Sequence, residues 1–132
     1  MKLLKINFKD NKARDINIII DDDNIEAYHS NHKIAEFHYW VTEGYADNKY
    51  ETTSVYELYS MNVDSSYQRS GIGTEIIKLG EKYYINVSYP HDTGDKNANH
   101  LSNEGKALID SCIRKKIISS KKYYGCDEGD YD

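Results

Sequence analysis

The chain changes its hydrophobic period once. Up to Val63 apolar residues recur at every second position, as in Ile16, Ile18 and Ile20. From Ile72 onward they recur at spacings of three and four, as in Ile72, Ile76, Leu79 and Tyr83. A period of two lines one face of a strand, and a period of 3.6 lines one stripe of a helix. A chain ordered this way is expected to form a β-meander followed by strand–helix–strand–helix. That is an α+β fold with a mixed central sheet and about two main helices. The strand–helix–strand step is then a right-handed parallel crossover.

The pattern predicts strands at residues 3–8, 15–20, 25–29 and 34–41, with a turn at Asp10-Asn11 and a hairpin connection at residues 30–33. Residues 42–53 are polar, carry Gly44 and Asn48, and read as a long loop. Residues 55–63 form the clearest strand, with Val55, Glu57, Tyr59, Met61 and Val63 on one face unless a bulge intervenes. A helix is expected from about Gly71 to Gly80, a strand over residues 83–89 stopped by Pro90, and a polar loop over 91–99. Ser102 suits an N-cap for a second helix whose apolar stripe, Leu108 with Cys112 and Ile109 with Ile113 and Ile117, runs to about Ile118. The remaining residues, 119–132, are basic, then aromatic, then acidic, with room for one strand or a partly ordered acidic tail.

At 132 residues a single domain is expected. A chain of this length buries about two-thirds of its unfolded surface and needs no disulfide to fold. Cys112 and Cys126 are therefore read as reduced thiols. No apolar run approaches the ~20 residues that span a bilayer, and the first ten residues alternate rather than form a signal-peptide core. The reading is a cytoplasmic chain with no membrane partner. The net charge is −5, with acidic clusters at Asp21-Asp22-Asp23 and near the C-terminus. Phosphate backbones need clustered Lys and Arg, so a nucleic-acid partner is not expected, whereas a cationic partner is tolerated. A homodimer is also admissible.

The most informative stretch is Gln68-Arg69-Ser70-Gly71-Ile72-Gly73-Thr74, between the clearest strand and the first helix. A helix starting here offers unpaired N–H groups and the positive end of its dipole. Glycines let an anionic oxygen reach those amides without meeting a Cβ, and Arg69 can add a charge-assisted contact. The physical reading is a phosphate or pyrophosphate site. Neither the dinucleotide fingerprint nor the P-loop pattern fits this spacing.

In this setting the segment resembles the Q/R-x-x-G-x-G/A motif of the Gcn5-related N-acetyltransferase (GNAT) superfamily, which follows that family's fourth strand and opens its third helix. The likeness covers residues 55–118 well and the first fifty only by strand pattern. It implies that main-chain amides of Gln68, Arg69, Ser70, Gly71, Ile72, Gly73 and Thr74 hold the acetyl-CoA pyrophosphate. It also implies that Met61, Asn62 and Val63 pair with the pantetheine arm, and that the flanking strands splay to admit it. An amine then attacks the thioester directly. Glu57, eleven residues before Gln68, stands where protein-acetylating members keep their base, and a carboxylate is suited to that task. The acceptor class is a protein lysine, a polyamine or a small-molecule amine, and no metal is required.

The chain also departs from the family. Residues 103–112 carry no tyrosine in the register of the usual Asn-x-x-Ala-x-x-x-Tyr helix, so the acid for the departing thiolate is open among Tyr89, Tyr123 and Tyr124. Asn99 or Asn103 can still reach the cofactor. The two helices usual after the first strand have no room, and the closing hairpin is missing or truncated. Pared-down forms of this kind occur among small phage-encoded acetyltransferases, including an anti-CRISPR one. The alternative is therefore a non-catalytic binding or inhibitory protein on the same fold, acting through its surface. A third reading is a plain loop-to-helix junction in an unrelated α+β domain. His29 and His32 read as surface histidines rather than zinc ligands, His91 and His100 as residues of a solvated loop, Trp40 as core, and Cys112 as buried and inert.

Overall fold

A computed structural model describes residues 3–45, 52–89 and 103–118. Its six strands follow in chain order across one sheet: β1 (Leu4–Lys9), β2 (Asp15–Ile20), β3 (Asn24–His29), β4 (His32–Tyr45), β5 (Thr52–Val63) and β6 (Val87–Ser88). The first five pair antiparallel, and β6 joins β5 in parallel. Helix α1 (Ile72–Tyr83) makes the crossover between β5 and β6, and α2 (Asn103–Arg114) follows. The expected α+β architecture, a mixed sheet with two helices, is present.

The alternating isoleucines decide which face is covered. Ile16, Ile18, Ile20, Ile25, Ala27, Phe37 and Leu58 are buried from the sheet, and Ile72, Ile76, Ile77, Ile109 and Cys112 meet them from the helices. The β3–β4 connection is shorter than expected. Ser30 and Asn31 both have positive φ (52° and 68°), the geometry of a two-residue hairpin turn whose twist matches the strands.

Two sequence expectations fail here for the same reason, tertiary contact overriding a local signal. The loop expected at residues 42–53 is largely strand, with rungs running from Thr42↔Val55 out to Tyr45↔Thr52. Polar β-branched residues form strands when a partner strand supplies their hydrogen bonds. The helix expected to stop at Gly80 continues to Tyr83, and the strand expected at 83–89 shrinks to Val87–Ser88. Gly80 is not a stop signal. It is fully buried in the helix, and a Cβ there would collide with the Tyr39 hydroxyl on β4. That hydroxyl is itself buried without a hydrogen-bond partner.

This contact gives a stability test. Gly80→Ala should destabilise the fold by about 1–3 kcal/mol, because the helix must lift off the sheet or the tyrosine must leave its rotamer. Tyr39→Phe alone should be neutral or stabilising, since it removes an unsatisfied buried hydroxyl. The double variant should recover much of the Gly80→Ala loss, as coupled neighbours do. Urea unfolding of the four proteins reads the cycle, and additive losses would discard the contact.

Candidate functional site

The end of β5 is built to turn sharply and to stay where it turns. After Val63 the chain makes one 3-10 turn, Ser65–Tyr67. Gln68 folds back, its Nε2 donating to the Val63 carbonyl at 3.0 Å. Ser70 is buried, and its hydroxyl donates to the Tyr67 carbonyl at 2.5 Å. Arg69 (φ 60°) and Gly71 (φ 91°) on either side of it both lie in the left-handed region. Only glycine holds that conformation without steric cost, which is why one glycine stands at the helix cap.

The turn between β1 and β2 grips this loop from beneath, an arrangement that sequence reading missed. The Asn11 N–H donates to the Ser70 carbonyl at 2.8 Å. The Arg14 guanidinium lies 4.1 Å from the centre of the Tyr67 ring and donates to the Ser66 carbonyl at 3.2 Å. Asp10 fixes that arginine. Its buried carboxylate accepts from Arg14 Nε at 2.8 Å and from the main-chain N–H groups of Lys12 and Arg14 at 3.0 and 2.9 Å. Burial pushes the Asp10 pKa up, but these hydrogen bonds and the guanidinium charge outweigh it and hold the carboxyl below its usual value. The Tyr67 hydroxyl sits 2.7 Å from His29 Nδ1, so His29 has a structural partner. In sequence Asp10-Asn11 was only a turn signal. Nothing local shows that it braces residues 66–70.

At the head of α1, the main-chain N–H groups of Gly71, Ile72, Gly73 and Thr74 donate no hydrogen bond to any of the described residues. Gln68 and Arg69 are exposed, while Ile72 and Ser70 are buried and can offer a ligand only their backbone. A Cβ on Gly73 would come within 2.9 Å of Leu108 Cδ2, so the missing side chain of this glycine makes room for α2. A Cβ built on Gly71 would lie 3.2 Å from Asn11 Oδ1, but its φ already calls for glycine. The Cys112 thiol is pushed up by burial and is inert, as its place on the helix stripe predicts.

β5 and β6 form a fork. They pair only at Tyr56↔Val87 and Glu57↔Ser88. Beyond that rung, the edge of β5 from Leu58 to Val63 that faces away from β4 has no partner strand among the described residues. A bulge falls here as well: His38 pairs with Ser60 and Tyr39 with Leu58, leaving Tyr59 as the extra residue. The bulge splits the face expected of residues 55–63. Met61 and Val63 turn inward onto the core and Asn62 is exposed. Glu57 lies on the opposite face, across from Trp40.

That face also overturns the reading of Trp40 as core. Its side chain is 57% exposed, and its ring lies 5.1 Å from that of Tyr59, which in turn lies 6.0 Å from His38. Tyr89 is withdrawn from the reactive candidates: it is fully buried and its hydroxyl donates to the Glu81 carboxylate. Asn99, Ser102, His91, His100, Tyr123, Tyr124 and Cys126 lie outside the described residues, and only the backbone of Asn103 is described.

No group of His, Cys, Asp and Glu able to hold a metal occurs among the described residues, nor any helix long and apolar enough to cross a bilayer. Compared with family models, with curated proteins and with solved structures, the chain finds no match in any of the three.

Proposed function

We propose that the chain is an acetyl-CoA-dependent N-acetyltransferase of the Gcn5-related kind, acting on a primary amine. The observation that carries this reading is a path along one edge of β5. It begins at the amides of residues 71–74, passes Val63, whose carbonyl is capped by the Gln68 side chain, follows the edge without a partner strand from Asn62 down to Leu58, and ends at Glu57, where β6 closes the fork. A diphosphate suits the first part by charge, because it replaces water on donors that the helix cannot satisfy. An extended amide-bearing arm suits the second, because an open strand edge pairs with any peptide-like chain. Bound acetyl-CoA supplies the activated acyl group.

The remaining steps belong to residues of this chain. Glu57 takes the proton that an ammonium must lose before its nitrogen can attack. The main chain at Met61–Val63 aligns the arm, and an amide of β5 near the bulge polarises the thioester carbonyl. The amine approaches from the side without helices. There the Trp40 and Tyr59 rings and the Glu57 carboxylate favour a cation. A protein lysine, a polyamine and a small amine all satisfy that requirement.

The runner-up is a non-catalytic protein on the same fold. It is favoured by α2 packing against Gly73 at the head of α1. Thermal melts test acetyl-CoA binding, which the runner-up can share, and turnover separates the two. A ligand that binds only the folded state at 100 times its Kd adds about 2.7 kcal/mol, so millimolar acetyl-CoA should raise the melting temperature by several degrees. Inorganic pyrophosphate should do so less strongly. An unmoved melting temperature would remove acetyl-CoA from the account altogether. Thiol release with a panel of amines then tests turnover.

A further inference from the structure

One hydroxyl at the fork has no use in the fold. Ser88 is 9% exposed, and its Oγ is buried without a hydrogen-bond partner. Burying a hydroxyl unpaired costs stability, and a buried strand position is cheaply filled by Ala or Val. Its place is specific. Ser88 pairs with Glu57 on the last rung before β5 and β6 part. Residues paired in register share a face of the sheet. The neighbouring rung fixes which face that is, because Val87 is in the core and its partner Tyr56 stacks on core residue Tyr84 at 4.6 Å. Side chains alternate along a strand, so Glu57 and Ser88 both point away from the helices. The next residue, Tyr89, turns into the core and is spent on Glu81. The apex of the fork thus carries one carboxylate from β5 and one hydroxyl from β6.

We infer that Ser88 is a second catalytic residue, the hydrogen-bond donor to the departing sulfur. This rests on the acetyltransferase reading. An arm laid along β5 from the head of α1 brings its thioester end to this rung, between the two side chains. The carbonyl oxygen is served by the main chain of β5, which leaves the sulfur as the atom facing β6. The nitrogen gives one proton to Glu57 and then forms its bond to the carbonyl carbon. The carbon–sulfur bond breaks with its electron pair going to sulfur. The nitrogen's second surplus proton is taken up by that sulfur, which the Ser88 O–H stabilises as charge builds on it.

The test compares wild type with Ser88→Ala and Ser88→Thr in melting temperature, acetyl-CoA affinity by calorimetry, and steady-state thiol release with an amine that the wild type turns over. Ser88→Ala should melt at or above the wild-type temperature and bind acetyl-CoA within about twofold of it. Its kcat should fall by about 10- to 100-fold, the worth of one hydrogen bond to a charged group, with little change in KM. Ser88→Thr keeps the hydroxyl and should retain most of the activity. Undiminished kcat in Ser88→Ala would overturn the assignment. So would a parallel loss of melting temperature and acetyl-CoA affinity, or a threonine variant that folds and binds normally but turns over no faster than the alanine one. If the wild type binds acetyl-CoA yet releases no thiol with any amine, the enzyme reading itself has failed and the role of Ser88 falls with it.

Discussion

Glu57→Gln should leave a folded protein that binds acetyl-CoA as tightly as the wild type and has lost its turnover by about 100- to 1,000-fold, within the range of removing a general base. The substitution is close to isosteric. It sits on a half-buried strand position, across from an exposed tryptophan rather than in the core, so packing changes little. The amides proposed to hold the pyrophosphate lie at the far end of β5, so ground-state affinity should not move. Loss confined to kcat is the mark of an interaction made only in the transition state. Raising the pH should restore part of the rate in the variant, because more of the amine is then already deprotonated. A variant with wild-type turnover would remove Glu57 from the chemistry, and one with weakened acetyl-CoA binding would make it a binding residue. Calorimetry and initial rates over a pH series decide among these.

The largest stability effect is expected at Asp10→Ala. The carboxylate is buried, accepts three hydrogen bonds and carries the charge that fixes Arg14. Arg14 in turn braces Ser66 and Tyr67. Removing the acceptor strands two main-chain donors and a half-buried guanidinium. Hydrogen bonds to charged groups are worth about 1.5–3 kcal/mol each, and they are not additive. A total near 3 kcal/mol is reasonable, on the order of 10 °C in melting temperature. The same variant should weaken acetyl-CoA binding, because residues 66–70 lose the brace beneath them. A drop in melting temperature with unaltered affinity would show that the brace serves the fold alone.

Acid should act in the same direction. Burial raises the Asp10 pKa, and the hydrogen bonds from Arg14 and the Lys12 main chain, with the Arg14 charge, lower it by more. A carboxyl whose folded pKa is depressed stabilises fully above its unfolded value, near 4. That stabilisation is lost as pH falls through the lower folded value. Between neutrality and pH 2 the wild type should therefore lose stability that Asp10→Ala no longer has to lose, and the two melting curves should converge.

The order of elements was open to reading because it depends on periodicity alone. Alternating isoleucines at 16, 18 and 20 can face a core only as a strand, and Ile72, Ile76 and Leu79 only as a helix. The site's outline was legible for a related reason. A glycine at positive φ ahead of a helix leaves a local trace, whereas Glu57 is singled out only by the family resemblance. The residues that hold the site in place were not legible. Asp10 and Arg14 act across a gap of more than fifty residues on Ser66 and Tyr67, and no local signal encodes such a contact. Glycine was the residue most easily misread. Gly71 serves its own backbone, whereas Gly73 yields to Leu108 and Gly80 to Tyr39, and a missing Cβ looks the same in all three. The chain's pattern alone set which residues must be inside and in what order the strands and helices come. Only the folded molecule decided what lies against what: which glycine makes way for a neighbour, where β5 bulges, and that Glu57 and Ser88 share the rung where two strands part. The reason is that burial is a property of single residues and their spacing, while contact is a property of pairs that only the closed chain brings together.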